Sequence, residues 1–329
     1  MTRPRHHCPR AVALTLALAL GACSTSTAGT EDPAAATGAG AAAARGGGTG
    51  GESIVLALSA NRPFFTELAA GAQEAADAAG VDLTVLDAQD DAAIQADQLA
   101  DAAVGGADAV VVNPVESAAA GAAVRPLLDA RIPVVAVDRA VDDTPVTSYV
   151  ASDNVDGGRQ AAAALAEAVG FEGQVLHLEG IAATSAGRER GQGFDEGLTD
   201  HPGIAVVARQ SADFARDEAL DVTTTLLQAN PDVVGIFAEN DEMALGAVQA
   251  LGDRAGTEVQ VIGFDGTRPG LEAVASGTMT ATIAQLPREL GAVGVEQAVA
   301  AIRGEPVEEV VPVPVQRVDA TGVADFLTP

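Results

Sequence analysis

The chain has 329 residues, 48% of them hydrophobic, which is room for two domains with a core each. Its 18 basic residues are all Arg and stand against 46 acids, for a net charge of -28. That balance excludes a nucleic-acid partner, which needs a basic face, and reads instead as solubility.

Residues 1–10 carry Arg3, Arg5 and Arg10 and no acid, and 11–20 form an apolar run too short to stay as a membrane span. Leu20, Gly21 and Ala22 then lead into Cys23, an order that resembles the bacterial lipobox, where cleavage before the Cys accompanies attachment of diacylglycerol to its sulfur. The expectation is a signal peptide over 1–22, lipidation at Cys23, and a flexible Ala/Gly/Ser/Thr linker over 23–52. Gly38, Gly40 and Ala43 match a dinucleotide fingerprint in spacing only, because no strand precedes them and no amphipathic helix follows.

From Ser53 onward short apolar runs alternate with longer amphipathic stretches. Strands are predicted at 54–58, 83–86, 109–112 and 134–137, with helices among the stretches between them, as at 65–79 and 117–130. A second series follows Asn154, with strands at 175–178, 205–208, 233–237, 259–263 and 280–283 and helices at 157–169, 217–228 and 241–251. β-branched runs alternating with helices predict parallel sheets covered on both faces. The fold class is therefore α/β, with two doubly wound parallel-sheet lobes. Ligands of such sheets lie beyond the carboxyl ends of the strands. Ser59, Asp138, Arg139, Asn240 and Asp265 gather at those ends. If the lobes face each other, the ends converge on one cleft suited to a small polar ligand.

Several stretches, in this order, resemble the ribose-binding proteins of the type I periplasmic-binding-protein family. They include Pro63-Phe64-Phe65, Val137-Asp138-Arg139, Ser152-Asp153-Asn154, Arg188-Glu189-Arg190-Gly191, Ala212-Asp213-Phe214, Asn240-Asp241-Glu242-Met243, Gly263-Phe264-Asp265-Gly266-Thr267 and Gln285-Leu286-Pro287. The resemblance runs from about Ile54 to Val318. It implies lobes joined by a three-crossing hinge, an N-terminal lobe of 53–152 plus 286–312 and a C-terminal lobe of 153–285 plus 313–329. Closure of the lobes around a sugar is the motion it implies.

The same resemblance implies a ligand set. Sugar hydroxyls both donate and accept, so a site needs carboxylates, guanidinium groups and amides, with flat apolar faces for the ring. Asp138 and Asp265 would accept, Arg139 and Arg190 would donate, and Asn240 and Gln285 would bridge neighbouring hydroxyls. Phe64, Phe65 and Phe214 would sandwich the ring. One departure concerns the segment Ser59-Ala60-Asn61-Arg62-Pro63, where the family has two Asn, the second contacting the sugar. Here the segment is one residue shorter and Arg62 stands in the contacting place. Asn61 sliding into the role and Arg62 contacting the ligand itself both remain open, and an Arg donates but cannot accept. Taken singly, Asp138-Arg139 also reads as a strand-end ion pair, Asn240 as a helix cap, Asp265-Gly266 as a turn and the Phe pair as core.

The expected function is that of a secreted substrate-binding lipoprotein of an ABC sugar importer, held at the outer face of the plasma membrane by its lipid alone. Its sugar would be D-ribose, with another pentose or hexose or a ribose-like signal molecule as the alternative. Its partners would be the permease and its ATPase subunit, and the chain itself a monomer. No cofactor or metal is expected: His177 and His201 stand alone, and without Lys the chain has no phosphate-binding loop of its own. A sugar-responsive transcription regulator is disfavoured by the absence of a basic helix-turn-helix segment. An enzyme using Asp138 and Asp265 as a carboxylate pair is disfavoured because the family binds without turnover.

Overall fold

The computed structural model describes residues 51–327; the expected signal peptide, Cys23 and most of the linker lie outside the described residues. The first lobe begins with Ser53–Leu58 (β1), Pro63–Ala79 (α1), Asp82–Asp87 (β2), Ala92–Gly105 (α2), Ala109–Val112 (β3), Ser117–Asp129 (α3), Val134–Val137 (β4) and Ser148–Ser152 (β5). The second contains Asn154–Ala168 (α4), Gly173–Glu179 (β6), Ser185–Leu198 (α5), Ile204–Ser211 (β7), Arg216–Ala229 (α6), Val233–Ala238 (β8), Asp241–Leu251 (α7), Gln260–Asp265 (β9), Arg268–Ser276 (α8) and Ala281–Ala284 (β10). Pro287–Arg303 (α9) and Val310–Val313 (β11) return to the first lobe, and Gln316–Asp319 (β12) and Val323–Leu327 (α10) end in the second.

Each lobe is a six-stranded sheet, ordered β11-β5-β4-β3-β1-β2 in the first and β12-β10-β9-β8-β6-β7 in the second. All pairings are parallel except β10 with β12. The central strands AVVV (β3) and VVAV (β4) are buried along their whole length, as strands covered on both faces must be. Alternate residues of β3 face opposite cores: Ala109 and Val111 pack with Leu68 and Leu290, Val110 and Val112 with Leu99 and Val124. Pro312 lies on edge strand β11, where a missing N–H breaks no central ladder.

Local chemistry sets the helix ends that matter for the cleft. α1 starts with Pro63 in its first turn and stops at Gly80, whose φ of 70° lets its N–H turn back to the Ala76 carbonyl. α7 is capped by Asn240, whose Oδ1 accepts from the Met243 N–H at 2.9 Å. α4 and α5 cross closely because their contact is built of glycine. A Cβ on Gly158 would stand 2.3 Å from the Arg190 carbonyl oxygen, and one on Gly193 would stand 2.0 Å from that of Val155.

The lobes touch directly. Ser117 N–H donates to the Ala183 carbonyl at 2.9 Å, Ser185 N–H to Ser117 Oγ at 2.9 Å, and Ala140 N–H to Ser185 Oγ at 2.9 Å. The carboxyl ends of both sheets therefore face one gap.

Candidate ligand-binding site

Both lobes build their half of the gap in the same way. β4 runs into Asp138 and β9 ends on Asp265, and both residues hold a positive φ, 64° and 117°. Such backbone is unfavourable for a residue with a Cβ by about 1–3 kcal/mol, and clusters where side chains must be re-aimed. At the point where the first sheet reverses its strand order, between β1 and β3, Asn113 accepts from Ser59 Oγ at 2.6 Å and donates to Asp138 Oδ2 at 2.9 Å. At the matching point between β6 and β8, Glu239 accepts from the Gly180 N–H at 2.7 Å and pairs with His177 Nε2 at 2.9 Å. The His177 ring packs against both Phe194 and Phe237, with each centroid 5.1 Å away.

Two guanidinium groups cross the gap floor. Arg139 donates to the carbonyls of Pro114 and Val115 at 3.0 and 3.1 Å, and its Nε lies 3.7 Å from Asp138 Oδ2. Arg190 donates to Asn154 Oδ1 at 2.9 Å, the Glu239 carbonyl at 2.7 Å and Asp265 Oδ1 at 3.3 Å, and lies 3.9 Å over the Phe264 ring. The Phe214 ring has Arg139 at 5.5 Å and Arg190 at 5.9 Å from its centroid. Phe64 and Phe65 meet edge to face, 5.3 Å apart, and Arg139 lies 5.7 Å over Phe65.

Burial dominates the electrostatics. It pushes the Asp265 carboxyl up to about 8, against the pull of Arg190 and with a further push from Asp241. Asp138 is likewise raised by burial, opposed by Arg139, Arg190 and the Asn113 bond. Arg139 is lowered from the usual guanidinium range, again chiefly by burial. Asp241, behind the floor, is pushed up to about 6 by burial, although Thr282 Oγ1 and the N–H and Oγ1 of Thr267 donate to it at 2.7, 2.7 and 2.9 Å.

Ten of the eleven side chains singled out in the sequence line one cleft of about 440 Å³, counted with its open mouth. They are Arg62, Phe64, Phe65, Asp138, Arg139, Arg190, Phe214, Asn240, Asp265 and Gln285. Asn61 does not line the cleft. Pro63 fixes the start of α1 so that Phe64 and Phe65 turn inward, and Asn61 is left exposed, its Oδ1 accepting from Thr66 Oγ1 at 3.3 Å. Asn240 does double duty, since its Oδ1 caps α7 while its Nδ2 donates to the Phe214 carbonyl at 3.3 Å. Phe64 and Phe65 belong both to the core and to the cleft wall.

Sequence reasoning missed Ala186, Glu242 and Thr267 on the wall, and Asn113, Asn154 and Glu239 behind it. Asn113 and Glu239 each follow directly on a buried strand, which is the signal that placed Asp138. Two buried polar atoms on wall residues, Arg139 Nε and Gln285 Oε1, have no hydrogen-bond partner among the described residues. Among the described residues no group of three or more His, Cys, Asp or Glu side chains is placed to hold a metal ion.

A two-lobed α/β protein with a polar cleft between the strand ends is a solute-binding architecture. The sequence profile of the periplasmic binding protein domain matches residues 51–306, and the chain belongs to that family. It is 45% identical over 263 residues to the ribose import binding protein of Escherichia coli (strain K12), covering 80% of this chain and 88% of that one. It is 39% identical over 256 residues to the ribose import binding protein of Bacillus subtilis (strain 168), covering 78% and 83%. Among solved structures, a periplasmic solute-binding protein of an ABC transporter from Actinobacillus succinogenes 130z, with bound D-allose, is 34% identical with a TM-score of 0.79 and covers 83% of this chain and 99% of that one.

Proposed function

We propose that the chain is the substrate-binding component of an ABC sugar importer and that its cleft takes a monosaccharide, D-ribose before other pentoses and hexoses. The observation that carries this reading is the convergence of Asp138, Asp265, Arg139, Arg190, Asn240, Gln285 and three phenyl rings on one cleft. That set matches a small polyol ring face for face: acceptors and donors for its hydroxyls, apolar surfaces for its C–H faces. Arg139 Nε, which among the described residues has only its 3.7 Å ion pair with Asp138, and Gln285 Oε1 are a donor and an acceptor that ligand hydroxyls would satisfy. The names of the relatives, ribose import binding proteins, support ribose as the sugar.

The finer points belong to the same proposal. Asp138 and Asp265 accept from sugar hydroxyls, Arg139 and Arg190 donate, and Phe64, Phe65 and Phe214 cover the ring faces. The protein works as a monomer that delivers sugar to a permease and its ATPase subunit without changing the sugar. Cys23 carries the lipid that holds it outside the cell membrane; among the described residues no helix is long and apolar enough to cross one.

Calorimetry against ribose, allose, arabinose, xylose and galactose tests the ligand. Tight binding of ribose, with the others weaker, is the expected result, and no heat with any of the five ends the reading. Chromatography of the recovered sugar separates binding from turnover, since only unchanged ribose fits a carrier. Cell fractionation of Cys23→Ser, expected to leave the membrane fraction with its affinity intact, tests the anchor.

A further inference from the structure

Arg62 stands at the start of α1 with extended backbone and makes no cap bond with its side chain. Its guanidinium divides instead between the two lobes. One amino group donates to Asp90 Oδ2 at 2.7 Å, within its own lobe. The other donates to the backbone carbonyl of Phe214 at 2.8 Å, in the lobe opposite. The planar fork is what lets one side chain satisfy two acceptors in fixed directions.

Both ends of this bridge are built. Asp90 is set by the end of β1, its N–H donating to the Ser59 carbonyl at 2.7 Å, and it holds a φ of 60°. Phe214 holds a φ of 58°, so its ring covers the cleft while its carbonyl faces Arg62 and Asn240. The Arg62 side chain keeps 23% of its surface exposed, which places the bridge at the mouth rather than on the floor.

We propose that Arg62, steadied by Asp90, is a positioning residue that fastens the second lobe over the bound ligand and so governs how slowly ligand leaves. The proposal rests on the cleft being the sugar site argued above. The Phe214 carbonyl is part of the protein, so the bond forms whenever the lobes close, whatever the stereochemistry inside. Opening must break it. An interaction present only in the closed form shifts the open–closed balance toward closed and slows release for every ligand alike. The residue that departs from the family pattern thus acts on closure and leaves the choice of sugar to the floor.

Stopped-flow release of a bound sugar from wild type, Arg62→Ala, Arg62→Lys and Asp90→Ala tests this. Release is expected to be about tenfold faster for Arg62→Ala, the scale of one charge-assisted hydrogen bond, with Arg62→Lys and Asp90→Ala between it and wild type. The double variant should release no faster than Arg62→Ala, because Asp90 acts through Arg62. The order of affinities across the five sugars should stay as in wild type. An unchanged release rate in Arg62→Ala, or a reordered sugar preference marking Arg62 as a ligand contact, overturns the proposal. X-ray scattering of sugar-free protein gives a readout independent of the ligand: Arg62→Ala should have the larger radius of gyration. A wild type that binds none of the sugars defeats the functional reading instead, and the clasp then stands or falls on the scattering.

Discussion

Gln285 Nε2 donates to Asp265 Oδ1 at 2.7 Å, and Gln285 Oε1 is left buried with no hydrogen-bond partner among the described residues. The bond orients the amide, and the orientation presents an acceptor to the cleft. Under the proposed function both residues meet sugar hydroxyls, but they differ in kind. Asp265, also bound by Arg190, is a charged acceptor only above about pH 8, and there Asp265→Asn is expected to weaken ribose binding by roughly 1.5–3 kcal/mol. Gln285→Ala removes a neutral partner and should cost nearer 1 kcal/mol. Calorimetry on the two variants checks the ranking, and an Asp265→Asn protein that binds like wild type would remove Asp265 from the ligand set.

The same carboxyl makes stability depend on pH. Burial holds Asp265 at about 8 and Asp241 at about 6 in the folded protein, whereas both ionise near the ordinary value of 3.8 when unfolded. Between those limits the folded state keeps protons that the unfolded chain has released. Stability therefore falls as pH rises from about 4 to about 8 and levels off above that. The thermal midpoint of the sugar-free protein should follow this slope, and Asp265→Asn should flatten its upper part. A midpoint that climbs over the interval, or an unaltered slope in the variant, contradicts the assignment.

Gly180 does not itself line the cleft, yet it backs the Phe214 ring that does. A Cβ there would lie 2.1 Å from the Phe214 ring, so the ring must move. Gly180→Ala is expected to weaken sugar binding by about 1–3 kcal/mol, the usual scale of overpacking. The loss should appear for every sugar that stacks on Phe214. Unchanged affinity would show that the ring face does not meet the ligand.

The wound sheets were legible because their central strands are unbroken apolar runs, such as 109–112 and 134–137, separated by amphipathic stretches. Most of the cleft was legible because the family motifs sit at strand ends, where this topology brings side chains together. Strand β5 and the edge strand β11 are absent from the predicted strands, since SYVAS and VVPV are short and mixed and become strands through pairing, Tyr149 opposite Val310 and Val150 opposite Val137. Helix α5 was hidden for a different reason. Its SAGRERGQGFDEGL has almost no apolar stripe, because glycine contact with α4 replaces side-chain packing. Asn61 suits a sugar by its residue type, but it stands two residues ahead of Pro63 and is exposed. Polar groups behind the wall, such as Asn113, follow a buried strand as Asp138 does, and only the structure separates the two places.

Asn113 shows how far such a group reaches. It accepts from Ser59 Oγ at 2.6 Å and donates to Asp138 Oδ2 at 2.9 Å, and this donation is one of the influences holding the raised Asp138 carboxyl down. Asn113→Ala removes the donor, so Asp138 should take up a proton at higher pH and ribose affinity should fall about tenfold at neutral pH, the scale of one hydrogen bond to a charged group. Asn113→Asp keeps the shape but sets a second carboxylate against the first, and like charges at that separation cannot both remain ionised in a buried site. Its affinity should fall further than that of Asn113→Ala and recover less as pH is raised. Calorimetry of both variants at a mildly acidic and a mildly alkaline pH gives the comparison. Equal losses in the two variants, independent of pH, would mean that Asn113 supports the backbone of the strand ends and does not tune Asp138.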